Sequence, residues 1–178
     1  MLRHAIGLTV LLTAGTAAGT AAPGGETLAA TPELARAAFE RLKALEGDWE
    51  GRSTKGWTET LSYEVIAGGS VVMETSREAH AGHTMATMFH MDGDDLVLTH
   101  YCIAKNQPRM KATSFRNGGR TVVFTFTGGG NLASRDAGHM DQAVITFDGP
   151  ETIRSRWTWY QGGREEWFEE IVQTRRPS

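Results

Sequence analysis

Hydrophobic and polar positions along this chain change period once, near residue 47. Before that point "TPELARAAFERLKALEG" places Leu34, Ala38, Leu42 and Leu45 on one face at helical spacing. Thr31 can accept from the free first-turn amides, Pro32 suits the first helical position, Glu33 complements the positive end, and Gly47 can stop the helix. Beyond Gly47 the period becomes two, and turn signals such as "AGG", "DGD", "NGG", "DGP" and "QGG" recur between apolar runs. Ten candidate strands follow: 48–54, 57–66, 70–78, 83–91, 95–104, 109–116, 120–127, 138–148, 152–161 and 164–174. The fold class is therefore all-β: a closed antiparallel meander barrel of about ten strands, with one short N-terminal helix covering an end. Closure removes the exposed edges of so long a meander. A two-sheet sandwich is the competing arrangement.

Register assigns the faces, because a slip of one residue inverts every side chain. In "MATMFHMDGDDLVLTHYC" a Gly93-Asp94 turn sets Phe89 across from Leu98, Thr87 across from His100 and Met85 across from Cys102. That face, with Met91 and Leu96, is assigned to the interior. In "RSRWTWYQGGREEWFEE" a two-residue Gly162-Gly163 turn pairs Tyr160 with Glu165 and Trp157 with Phe168. Ile153, Trp157, Trp159, Phe168 and Val172 then face inward together with Glu166 and Glu170, while Arg156 faces Glu169 on the outside. A three-residue turn in "HMDQAVITFDGP" brings Phe147, Ile145 and Ala143 to the same interior, and His139 and Asp141 with them.

These assignments outline a pocket. Trp49, Phe89, Trp157, Trp159 and Phe168 would line it, and His100, His139, Arg109 and Glu170 would orient the polar end of a ligand, since small-molecule sites combine apolar walls with a few convergent polar groups. A hydrogen-bonded core role is the alternative for His100, and packing is the alternative for Cys102. "KNQPRM" should leave the strand at Pro108, which cannot donate to a central ladder. Asn106, Gln107 and Arg109 would then sit at the barrel mouth, unless this is an ordinary polar loop. Residues 128–138 read as the longest loop and a candidate flap. The H-A-G-H at His80 and His83 is a possible metal pair, though a solvated hairpin tip fits it better. No nucleophile elbow, phosphate loop or dinucleotide fingerprint is present.

Charge and the N-terminal segment narrow the class. "MLRH" followed by "AIGLTVLLTAGTAAGTAAP" has the basic start, short apolar stretch and small-residue end of a secretory signal peptide. The expected organisation is a signal peptide at 1–22, a flexible linker at 23–31 and one barrel domain at 32–178, giving an exported protein, periplasmic or secreted, without stable membrane insertion after cleavage. Without residues 1–22, 17 basic residues face 21 acidic ones, and no basic stripe offers itself to nucleic acid. The lone Cys102 allows no internal disulfide. No cofactor is called for by any motif.

"LEGDWEGRS", with Gly47, Trp49 and Gly51, resembles the G-x-W-x-G opening strand of calycin-type barrels, which include lipocalins, fatty-acid-binding proteins and nitrobindins. With "HMDGDDLVLTHYCIAKNQPRM" it also resembles an uncharacterised family of exported bacterial proteins, over most of residues 36–175. The resemblance implies a closed barrel with an internal ligand space. In nitrobindin-like members that space can hold haem through a histidine near the C-terminal strands; here no histidine follows His139, which would be the nearest substitute. Three functions stay open: a non-catalytic carrier or sensor of a small apolar or amphipathic molecule, a barrel isomerase or hydrolase using His100 with Glu170 or Asp141, and an envelope module whose partner is another protein.

Overall fold

The computed structural model describes residues 26–77 and 82–177. Helix α1 (Pro32–Lys43) follows a two-residue strand β1 (Leu28–Ala29). Ten longer strands come next: β2 (Gly47–Ser53), β3 (Thr58–Ile66), β4 (Val71–Arg77), β5 (Met85–Asp92), β6 (Asp95–Tyr101), β7 (Gln107–Arg116), β8 (Thr121–Gly130), β9 (His139–Phe147), β10 (Thr152–Gln161) and β11 (Arg164–Arg175). Each pairs antiparallel with its sequence neighbour, and β11 pairs with β2, so the ten close into a barrel. β1 lies outside the closure, pairing Leu28 with Phe115 and Ala29 with Ser114 of β7. The segment expected as linker therefore gives its last residues to the sheet.

Helix α1 starts as its sequence dictates. Thr31 Oγ1 accepts from the Leu34 amide at 3.3 Å, and Pro32 takes the first turn. It ends four residues before Gly47, and it buries Ala38 and Leu42 of the expected face together with Ala35 and Phe39, while Leu34 is only half-buried. Leu45 is buried beyond the helix. Arg36 reaches Asp94 in the β5–β6 turn and Arg41 donates to Gly119 O in the β7–β8 turn, so α1 covers one end of the barrel.

Arg175, near the end of the last strand, ties this end together. It donates to Ala44 O at 2.9 Å and Glu46 O at 2.8 Å, where the helix leaves carbonyls without partners. Its guanidinium lies 4.5 Å from the Trp49 ring, and Trp49 Nε1 donates to Leu45 O at 2.8 Å. Gly47, at φ +127°, leaves room for the guanidinium, since a Cβ there would sit 3.0 Å from Arg175 Nη1. Above this plug the core is apolar: Leu61, Val72, Phe89, Leu98, Met110 and Phe124 are among its buried side chains.

The hairpin register of β5 and β6 is as the pattern predicts, with Phe89 opposite Leu98 and Thr87 opposite His100. The turn from β9 to β10 also has the expected three residues, pairing Phe147 with Ile153 and Ala143 with Trp157. Two β-bulges overturn other assignments. Between β10 and β11, Tyr160 pairs with Glu165 but Trp159 pairs with Trp167, leaving Glu166 as an extra residue. From there to the C-terminus β11 is inverted relative to the even register: Glu169, Ile171 and Gln173 are buried, while Phe168 is 50% exposed and Glu170 and Val172 face solvent. Between β9 and β10, Thr158 pairs with Gln142 but Trp159 with Met140, leaving Asp141 as the extra residue.

Loss of Arg175 should loosen the plugged end without opening the barrel. Arg175→Met keeps much of the apolar stem and removes the hydrogen bonds; we expect a cost of about 2–3 kcal/mol in thermal or urea unfolding, with the far-ultraviolet spectrum unchanged. A melting temperature equal to that of the parent would show that the helix end is held by other contacts.

Candidate functional site

The interior polar groups lie toward the end opposite α1, where the turns at 54–57, 102–106 and 162–163 and the loop 131–138 are found. A cavity of about 40 Å³ opens there, walled by Trp57, Glu59, Glu74, Ser76, Met85, Thr87, His100, Met140, Trp157, Glu169, Ile171 and Gln173. That is room for roughly two or three water molecules, well below the several hundred Å³ of a drug-sized pocket.

Alternation explains how the acids come to face inward. Glu59 shares a face of β3 with Leu61 and Tyr63, and Glu74 shares a face of β4 with Val72 and Ser76, so the strands that bury these apolar residues must bury the glutamates too. Gly51 of β2 makes the space for Glu59. A Cβ at Gly51 would lie 2.7 Å from Glu59 Cγ and 2.8 Å from its Oε1. The second glycine of the "GDWEG" motif is thus a seat for a carboxyl group. Glu169 enters from β11 through the bulge at Glu166.

Each acid has a neutral partner. Ser76 Oγ donates to Glu59, and Ser53 Oγ donates to Glu169 at 2.5 Å. The Tyr63 hydroxyl lies 2.8 Å from Glu74 Oε2 and 2.7 Å from Gln173 Oε1. One phenolic proton cannot serve two acceptors. A protonated Glu74 donating to Tyr63, with Tyr63 donating to Gln173, satisfies all three groups. Burial has the same effect on both glutamates, raising Glu59 and Glu74 to about 7, and the neighbouring Glu74 and Glu169 charges push Glu59 further up. Burial, then the Glu74 charge, raises the Tyr63 phenol well above its usual value.

His100 faces the same space from β6. It is 6% exposed, its Nδ1 lies 3.0 Å from Thr87 Oγ1, and its ring packs 4.9 Å from that of Trp157. Burial lowers its pKa to about 4, so the imidazole is neutral at physiological pH. Cys102 lies past the end of β6 in the 102–106 turn; burial pushes its thiol up, which disfavours the reactive thiolate.

The other expected site residues are scattered. Trp49 is buried at the helix end and Phe89 packs 6.1 Å from Phe124 deeper in the barrel, neither on the cavity wall. Trp159 is half-buried and stacks on Trp167 at 5.6 Å near the open end. Phe168 lies outside beneath the Arg156 guanidinium, 3.9 Å away. Glu170 is exposed on the outer face, beside Arg154 and Arg156 in an open trough of about 400 Å³.

Arg109 is not in a mouth loop. β7 begins at Gln107, and the β6 ladder reaches only as far as Arg109, so Pro108 occupies a position where β6 asks for no amide. Arg109 points outward and is exposed. Asn106 is buried, donating Nδ2 to Gly138 O at 2.7 Å, and Gln107 Oε1 accepts from Asn131. Residues 128–130 belong to β8, which shortens the candidate flap to 131–138.

His139 is fully buried but does not reach the cavity wall, which Met140 occupies because of the Asp141 bulge. Its Nδ1 lies 2.6 Å from Ala137 O, and its Nε2 lies 2.8 Å from Arg135 Nη1. Since Arg135 can only donate, Nε2 accepts and Nδ1 carries the proton. Arg135 also pairs with Asp141 at 2.6 Å and lies over Phe126 and Tyr160. With both ring nitrogens engaged, His139 offers no axial ligand, and a 40 Å³ cavity leaves no space for a macrocycle beside His100, so these residues do not fit haem. Nor does an acid–base pair of His100 with Glu170 or Asp141 exist: one lies on the outer face and the other is held by Arg135. Of the H-A-G-H pair, His83 is exposed and His80 lies outside the described residues. Among the described residues no three His, Cys, Asp or Glu side chains are grouped as a metal site.

Comparison with known proteins places the architecture but not the chemistry. No family model and no curated protein matches the chain. Among solved structures, Rv2717c from M. tuberculosis superposes with a TM-score of 0.54 at 15% identity, over 79% of this chain and 98% of that one. A protein of unknown function from Nostoc punctiforme, of the DUF3598 family, superposes with a TM-score of 0.51 at 10% identity, over 76% of this chain; the chain spans about half (49%) of that protein's length. At such identities the likeness shows the fold: a closed ten-strand antiparallel barrel.

The buried acids give stability a pH dependence of definite sign. Glu74 titrates near 7 when folded and near 4.5 when unfolded, so the folded state binds the extra proton and stability falls as pH rises through that window. His100, neutral in the fold down to about 4, works in the opposite sense and is complete above about 6.5. At pH 8 the His100 contribution is full and constant, so a substitution at Glu74 reports the carboxyl effect. Glu74→Gln should therefore raise stability at pH 8 by up to about 2–3 kcal/mol and change it much less at pH 5. A lower stability of the glutamine variant at pH 8 would contradict a Glu74 pKa raised by burial.

Proposed function

We propose that this protein is an exported, non-catalytic carrier or sensor that binds a small amphipathic molecule at the end of the barrel opposite α1. The observation that carries the reading is the change of the interior from apolar to polar along the barrel axis. Below the cavity the interior is filled by Leu, Phe, Met and Trp; at the cavity, Glu59, Glu74, Ser76, Thr87, His100 and Gln173 replace them and are buried. Buried polar groups are costly unless matched, and a core that had only to be stable would be filled with aliphatic side chains instead.

The cavity volume sets how the ligand sits. It admits a compact polar end and not a whole lipid chain. Trp57, Met85, Met140 and Trp157 supply apolar surface around that end. The export part of the proposal rests on the leader pattern of residues 1–22.

Tryptophan emission reports on this directly, because Trp57 and Trp157 are cavity residues among the five tryptophans of the chain. Titration with a panel of short-chain amines, alcohols, acids and lipids should give saturable quenching by at least one class, with Trp157→Phe removing at least a third of the amplitude. No quenching by any class, together with no bound species in native mass spectra, would overturn the proposal.

A further inference from the structure

The cavity wall is rich in acceptors. Glu59 and Glu74 present carboxyl oxygens, and Gln173 Oε1 and Glu169 lie beside them. Among the described residues, no Lys or Arg lines it. The histidine adds to this polarity. With Nδ1 engaged on Thr87, His100 has Nε2 as the ring atom left for the cavity, and the side chain is more than nine-tenths buried. In the tautomer that donates Nδ1–H to Thr87, Nε2 is one more acceptor. Trp57 and Trp157 supply π faces, which attract cations.

We propose that the ligand's polar end is a primary ammonium, seated between Glu59, Glu74 and His100 Nε2 with its alkyl part against Trp57 and Trp157. This rests on the ligand-binding reading above and names its chemistry. An ammonium has three donors on one compact centre, which suits a cavity of about 40 Å³ better than a planar guanidinium does. It supplies the positive charge that the wall lacks.

Charge balance then fixes what else must happen. Burial keeps Glu59 and Glu74 largely protonated below about pH 7, with Tyr63, His100 and Glu169 the other titratable groups facing them. When R-NH₃⁺ enters, one carboxyl O–H bond breaks, the proton leaves to solvent, and the resulting carboxylate pairs with the ammonium. No covalent bond to the ligand forms. Affinity must therefore rise with pH up to about 7 and level off above it.

The full chain, titrated with n-butylamine, n-butanol and butyrate, tests this. Calorimetry at pH 6 in two buffers of different ionisation enthalpy counts protons, and tryptophan emission follows occupancy. We expect butylamine to bind at least tenfold tighter than butanol, butyrate not to bind, close to one proton to be released per amine, and affinity to fall about tenfold per pH unit below 7. Glu59→Gln should weaken butylamine at least tenfold, as should Glu74→Gln, while Glu64→Gln on the outer face of β3 should leave it unchanged. Equal binding of butanol and butylamine, or amine binding without proton release and insensitive to both glutamine variants, would overturn the ammonium assignment and leave the ligand-binding reading standing. Failure of every compound in this set and in the wider panel would overturn both.

Discussion

Burying a carboxyl group without a cation beside it is among the least favourable things a protein interior can do, and the upper half of this barrel is organised around that cost. Gly51 gives up its side chain so that Glu59 can lie against β2. Ser76 and Ser53 supply neutral donors in place of charged ones, while Tyr63 accepts from protonated Glu74 and donates to Gln173. The outcome is an interior in which protonation, and not ion pairing, satisfies the acids. The cavity follows from the same constraint, since side chains held by one another's oxygens cannot also collapse to fill the space.

The lower half shows the opposite solution. There Arg175 finds its partners in the carbonyls at the end of α1 and in the face of Trp49, so the charged group is solvated by backbone dipoles and a ring. The barrel is thereby closed at one end, and its apolar core separates this plug from the polar cavity. A ligand approaching the cavity has the opposite end to use. A wall without Lys or Arg among the described residues and a closed floor together favour a compact donor group on an amphipathic molecule over a fully buried chain.

Much of this was legible in the alternation. The strand sequence, the β5–β6 register, the three-residue turn after Phe147 and the inward facing of His100 and Trp157 all follow from period and turn chemistry. What the pattern did not reveal were the bulges at Glu166 and Asp141. An extra residue is invisible to a parity count: Glu166 exchanged Phe168 and Glu170 for Glu169 and Gln173 on the inner face, and Asp141 moved Met140 to the wall in place of His139. Pro108 misled for a related reason: it sits inside β7 because the β6 ladder has already ended beside it. The glutamates on β3 and β4 carried a readable signal, for Glu59 shares parity with Leu61 and Tyr63, and Glu74 with Val72. An acid in register with apolar residues is the sequence mark of a polar interior.

What the structure requires is that burial keep Glu59 and Glu74 protonated up to about pH 7, well beyond the ordinary carboxylate range. Carbon-13 spectra of the side-chain carboxyl groups, assigned with Glu59→Gln and Glu74→Gln and followed from pH 4 to 9, test it most directly. These two resonances should titrate near 7, well above the usual range for glutamate. Midpoints near 4.5 for both would contradict it.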